Sequence, residues 1–101
     1  MKKKIIVLGS TGSIGQNTLK IIKTKKHDFT IQLLSTNKNI NKIINQAKEF
    51  KVKNIIISDL KKYTEAKKKF NNIGIKIYNC FDDIDKILKK KKVYYSMIAI
   101  S

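Results

Sequence analysis

Arginine, proline and tryptophan are missing from this 101-residue chain, and acids are scarce. All 23 basic residues are lysines, set against 7 acids, which leaves a formal net charge of +16. Without arginine there is no planar fork for bidentate contact with bases or phosphates. The one cysteine, Cys80, excludes an internal disulfide and fits a reducing compartment. No histidine or cationic pair is arranged around it, so it reads as a buried or idle thiol rather than a nucleophile. Long apolar runs are absent too. The one that opens the chain, Ile5 to Leu8, stops at Gly9. A secretory signal core needs about 7–15 apolar residues and a membrane span about 20. The expectation is a soluble, cytoplasmic protein with no membrane partner.

What remains is ordinary for a globular domain. Apolar residues make up 42% of the chain, enough for one core, and the length allows one compact domain. The basic excess has two readings, a nucleic-acid surface or drift toward Lys, Ile and Asn on solvated faces. Patterning favours the second. The lysines are scattered through almost every segment, and Phe29, Phe50 and Phe70 occupy core-like positions instead of alternating with lysines as stacking platforms. No nucleic-acid partner is expected.

Strand and helix signals alternate along the chain. Ile5 to Leu8 is a short apolar run, as in a strand buried on both faces. A helix is predicted from about Ser13 to Lys25, with Ile14, Leu19, Ile21 and Ile22 inward. Phe29 to Leu34 is a second strand. Asn39 is suited to cap a helix whose Ile40, Ile43, Ile44 and Ala47 form one stripe, ending near Phe50. Asn54 to Ser58 is a third strand. Asp59 caps a third helix with Leu60, Tyr63 and Phe70 inward. Ile73, Ile75 and Ile77 alternate as a fourth strand. A short helix opening at Asp82 or Asp83, with Lys89 to Lys92 at its carboxyl end, precedes a fifth strand from Val93 to Ile100. The predicted fold class is α/β, a Rossmann-like doubly wound parallel sheet of about five strands with helices on both faces.

Three of the four glycines fall in one turn, Gly9-Ser10-Thr11-Gly12-Ser13-Ile14-Gly15, between the first strand and the first helix. A glycine at the strand's end permits a tight turn and positive φ. A mid-turn glycine lets a pyrophosphate approach the backbone, and the third lets helix pack closely on strand. The helix N-terminus then aims unpaired N–H groups at the anion, and Thr11 and Ser13 add hydroxyls. The context, strand before and helix after, is what such a motif requires. After the second strand an NAD site commonly carries an acid for the ribose 2′-hydroxyl. Here the segment is Ser35-Thr36-Asn37-Lys38-Asn39, with no acid. Lys38 offers charge to a 2′-phosphate and Ser35 and Thr36 offer hydroxyls, which favours NADP over NAD.

The run Val7-Leu8-Gly9-Ser10-Thr11-Gly12-Ser13-Ile14-Gly15, followed by Thr18-Leu19, resembles the opening of the 1-deoxy-D-xylulose 5-phosphate reductoisomerase family. The likeness continues at Lys38-Asn39-Ile40, at Glu49-Phe50 and at Ser96 to Ile100. It implies that residues 1–101 are a partial, NADP-binding Rossmann-like domain, without the family's catalytic and C-terminal domains. By the same likeness NADPH contacts fall on Thr11, Gly12, Ser13 and Ile14, and on Asn37, Lys38 and Asn39. Asn37 stands where the family usually has glycine; asparagine tolerates left-handed backbone, so the loop shape survives. The family's enzymes rearrange and reduce 1-deoxy-D-xylulose 5-phosphate to 2-C-methyl-D-erythritol 4-phosphate in non-mevalonate isoprenoid (terpenoid) biosynthesis. They use a divalent metal, manganese or magnesium, and commonly form homodimers. The metal ligands and the sugar-phosphate site lie outside this chain, so no catalytic residue and no metal ligand is assigned, and the fragment alone is expected to be inactive. Asp82, Asp83 and Asp85 read as helix-capping acids rather than ligands. The alternatives are the cofactor domain of another GxxGxxG dehydrogenase and a non-enzymatic basic module.

Overall fold

The computed structural model describes residues 3–25, 28–80 and 97–98. Its elements alternate: β1 (Lys3–Leu8), α1 (Ser13–Thr24), β2 (Phe29–Thr36), α2 (Ile40–Glu49), β3 (Asn54–Ile57), α3 (Leu60–Lys69), β4 (Lys76–Tyr78) and β5 (Met97–Ile98). The strands form one sheet in the order β4-β3-β2-β1-β5, and every pairing is parallel. The expected α/β class and parallel sheet are therefore present. The predicted helix at 82–88 and most of the last strand lie outside the described residues.

One face of the sheet carries the main core. Ile5 and Val7 of β1, Ile31 and Leu34 of β2, Ile55 and Ile57 of β3 and Ile77 of β4 pack with Leu19 and Ile22 of α1, with α2 and with Ala66 of α3. All three described helices thus cover the same face, as successive right-handed crossovers in one direction require; the expectation of helices on both faces is not met by the described helices, and the other predicted helix lies outside the described residues. The other face shows Ile6, Leu33 and Ile56, flanked by Leu8 and Tyr78. Each fully buried isoleucine contributes roughly 1.5–3 kcal/mol. The two described ion pairs, Lys23–Glu49 and Lys62–Glu65, are solvent-exposed and worth about 1 kcal/mol or less each. Apolar burial, not charge pairing, holds this fold.

Two irregularities matter. Ile5 pairs with Ile31 but Ile6 pairs with Leu33, so Gln32 is an extra residue in β2. The carbonyl it displaces accepts a hydrogen bond from the Asn54 side chain at 3.2 Å. The bulge shifts the alternation, placing Leu34 and Thr36 on the helix face and Leu33 and Ser35 on the other. At the end of α2, Lys51 has φ 57°. Lys51 N–H donates to the Lys48 carbonyl at 3.4 Å and Val52 N–H to the Ala47 carbonyl at 2.8 Å, the Schellman pattern, here with a lysine where glycine is favoured.

Several inward assignments need correction. Ile14, Ile21 and Leu60 are exposed. The buried stripe of α1 is Gly15, Leu19 and Ile22, an i, i+4, i+7 series, and Ile14 and Ile21 lie one residue off it. Leu60 begins α3 beyond the end of β3, past the carboxyl edge of the sheet, while Tyr63 and Phe70 do pack against the core. The fourth strand is shorter than the Ile73–Ile77 alternation implies. Gly74 has φ 75°, which breaks the extended path before Lys76. Cys80 is exposed rather than buried.

Candidate functional site

β1 has neighbours on both sides, and the strand order departs from it in two directions. In open parallel sheets the crevice beyond the carboxyl ends at such a point is where ligands enter. The glycine turn starts there. Gly9 leaves β1 with φ 68°, a conformation that costs other residues about 1–2 kcal/mol. Its carbonyl accepts the Gly12 N–H at 3.1 Å, and the first helical bond runs from Gln16 N–H to the Gly12 carbonyl at 2.8 Å. A Cβ on Gly15 would overlap the Gly9 carbonyl oxygen and lie 2.6 Å from Ser10 Cα. The first turn of α1 therefore rests directly on the loop.

The helix N-termini differ. Asn39 caps α2 by accepting the Lys42 N–H, and Asp59 caps α3 by accepting the Lys62 N–H. Gly12 caps α1 without any side-chain bond, and no acid sits in the first turn. Among the described residues nothing accepts from the N–H groups of Ser13, Ile14 and Gly15. Unpaired donors and the positive end of the helix dipole face the same crevice, an arrangement suited to an anion.

A polar lattice beneath the turn ties it to the neighbouring strand ends. Ser35 Oγ accepts the Gly9 N–H at 2.9 Å, and the Ser35 carbonyl accepts the Ser10 N–H at 2.9 Å. Thr11 Oγ1 and Thr36 Oγ1 are 2.6 Å apart, and Thr36 Oγ1 also accepts the Asn39 N–H at 3.4 Å. Gln46 Nε2 donates to the Ser10 carbonyl and Ser10 Oγ donates to Gln46 Oε1, both at 2.8 Å. Gln16 Nε2 reaches the Thr11 carbonyl at 2.9 Å. No described buried side-chain polar atom lacks a partner.

The two predicted segments thus sit side by side, linked through Thr11 and Thr36. Ser13, Ile14, Asn37, Lys38 and Asn39 are exposed, and Thr11 and Gly12 are half-buried. Lys38 forms no ion pair with any described residue. The hydroxyls of Ser35 and Thr36 do not face a nucleotide as expected from the sequence. β2 extends through both residues, which are buried and bonded to the turn. Nor does Asn37 use left-handed backbone; its carboxamide oxygen instead accepts the Ser58 hydroxyl at 2.9 Å. The buried Gln46 carries no signal in the sequence. A glutamine inside an apolar helical stripe has no periodic signature, and only the polar turn packed against it reveals its place.

Among the described residues no group of three or more His, Cys, Asp or Glu could hold a metal ion, and no helix is long and apolar enough to cross a membrane. The described lysines are spread over all three helices and the loops, while Phe29, Phe50 and Phe70 pack against the core.

Comparison with known proteins follows the same geometry. The 1-deoxy-D-xylulose 5-phosphate reductoisomerase of Pelagibacter ubique is 47% identical over 100 residues, covering 98% of this chain and 26% of that protein. The enzyme of the same name from Thermodesulfovibrio yellowstonii is 35% identical, covering 97% and 25%. The reductoisomerase structure from Zymomonas mobilis in complex with NADPH superposes with a TM-score of 0.75 at 25% identity, covering 86% of this chain and 23% of that one. A DOX-P reductoisomerase structure in complex with NADPH, fosmidomycin and magnesium superposes at 0.80 with 25% identity, covering 93% and 23%. The chain spans about a quarter of the length of these relatives. The family model for 1-deoxy-D-xylulose 5-phosphate reductoisomerase matches residues 5–101, and the chain belongs to that family.

Proposed function

We propose that residues 1–101 form the NADPH-binding domain of a 1-deoxy-D-xylulose 5-phosphate reductoisomerase. The observation that carries this reading is the N-terminus of α1, which has no side-chain cap, beside an acid-free loop whose Lys38 forms no ion pair among the described residues. The turn can take a diphosphate: Gly12 puts no side chain in its path, and the amides of Ser13 and Ile14 with the hydroxyls of Thr11 and Ser13 donate to it. Thr36 Oγ1, already an acceptor from Asn39 N–H, can donate to Thr11 and leave the Thr11 hydrogen for the ligand. Asn37, Lys38 and Asn39 hold the adenosine end, with Lys38 on the 2′-phosphate. The cofactor, once bound, supplies hydride for the reduction. NADPH-bound relatives with this fold support the assignment.

In the full-length enzyme the reaction is the rearrangement and reduction of 1-deoxy-D-xylulose 5-phosphate to 2-C-methyl-D-erythritol 4-phosphate, with magnesium or manganese holding substrate oxygens and two copies forming a homodimer. The 101-residue chain binds cofactor and does not turn over substrate. Titration with NADPH and NADH tests the reading. NADPH binds tighter, and Lys38→Ala weakens it roughly tenfold while leaving NADH unchanged. Equal, negligible binding of both nucleotides by the unmodified chain sinks it.

A further inference from the structure

We propose that Gln46 is a positioning residue for the phosphate-binding turn, an inference that rests on the cofactor reading above. A carboxamide in a helix stripe otherwise made of Ile40, Ile43, Ile44 and Ala47 is costly to bury unless it is bonded. Both of its ends are bonded to one residue, thirty-six positions away in the chain. The Ser10 carbonyl can only accept, so it takes Nε2; the Ser10 hydroxyl then donates to Oε1. This reciprocal pair grips the peptide between Gly9 and Gly12 from below. Ser10 itself is fully buried and so does not touch a ligand in the crevice.

The clamp sets the direction of the amides that follow. Gly9 turns with positive φ, where a glycine has many alternative conformations. Contacts from two neighbouring elements restrict it: Gly9 N–H to Ser35 Oγ and Ser10 N–H and Oγ to the Ser35 carbonyl on one side, and the reciprocal Gln46–Ser10 pair on the other. The Ser35 contacts anchor the turn to β2. Gln46 anchors it to the body of α2, the helix that begins just after Lys38 and Asn39, while Thr11 and Thr36 tie it to the Asn39 cap of that helix. Gln46, together with the Thr11–Thr36–Asn39 contacts, therefore holds the distance between the diphosphate donors and the 2′-phosphate lysine. A ligand that spans both is sensitive to this residue, and a ligand that meets only one end is not.

The test uses the whole 101-residue chain and Gln46→Met, which keeps volume and removes both bonds. NADPH affinity falls roughly tenfold, while affinity for 2′-AMP, which reaches only the Lys38 end, stays unchanged. In the nucleotide-free chain, hydrogen exchange at the Gly9, Ser10 and Gly12 amides accelerates while β3 amides do not. This arm reports on the clamp even if the unmodified chain binds no nucleotide, an outcome that would sink the cofactor reading separately. Unaltered exchange in the turn, unaltered NADPH affinity, or a parallel loss of NADPH and 2′-AMP overturns the proposal. Ser10→Ala, which leaves the Nε2 bond to the Ser10 carbonyl in place, provides a milder variant in which the same turn amides accelerate to a smaller degree.

Discussion

At the scale of single residues, Gly15 shows how context reverses a propensity. In an exposed helix interior, glycine to alanine gains about 1 kcal/mol. Here the added methyl would meet the Gly9 carbonyl oxygen and the Ser10 Cα and C, all backbone atoms, so neither side can yield by a rotamer change. Gly15→Ala is expected to lose about 1–3 kcal/mol and to weaken NADPH binding as the turn is pushed away from α1; chemical denaturation and nucleotide titration measure the two. A stabilised variant would contradict this. The role of this glycine was legible in the sequence because the motif requires a strand, a turn and a helix in a fixed order. The roles of Ser35 and Thr36 were not. Their hydroxyls look available in a loop, and only the two extra residues of β2 turn them inward.

Among elements, α2 is the best read and carries the clearest flaw. Its apolar stripe, its Asn39 cap and its end at Phe50 follow from the 3.6-residue period and from capping chemistry. The flaw is at its exit, where Lys51 holds a left-handed conformation and makes Schellman bonds. Lys51→Gly is predicted to stabilise the chain by about 1 kcal/mol by relieving that strain, raising Tm by about 4–8 °C in a thermal melt. An unchanged or lower Tm contradicts the prediction. α3 is less legible in the sequence. Its cap at Asp59 and its Tyr63 and Phe70 contacts were visible, but period alone could not tell that its first turn overhangs the sheet and leaves Leu60 in solvent. β4 is shorter than its sequence pattern for a similar reason: alternation at Ile73, Ile75 and Ile77 gives no warning of the positive φ at Gly74.

For the whole molecule, charge and fold pull in opposite directions. A net charge of +16 repels itself in the compact state and attracts a polyanionic nucleotide. Added salt shortens the Debye length to below about 10 Å above 0.1 M. Salt is therefore expected to raise Tm while weakening NADPH binding, a pairing that melts and titrations at several ionic strengths will show; a Tm that falls with salt would mean that ion pairs matter more than the exposed Lys23–Glu49 and Lys62–Glu65 contacts imply. The class of the sheet was legible because alternating strand and helix signals admit few topologies. Its phase was not, since Gln32 inserts silently between Ile31 and Leu33. That insertion gives the second strand one spare link. Removing Gln32 keeps every later side chain on its present side of the sheet, and the loss of Leu33, Leu34 or Ser35 is absorbed beyond the cut in the same way, with Gln32 leaving the bulge for an ordinary place in the ladder. Drift by one residue is thus tolerated along this strand, whereas a second loss, with no spare link left, would turn the hydroxyls that moor the glycine loop to the wrong side.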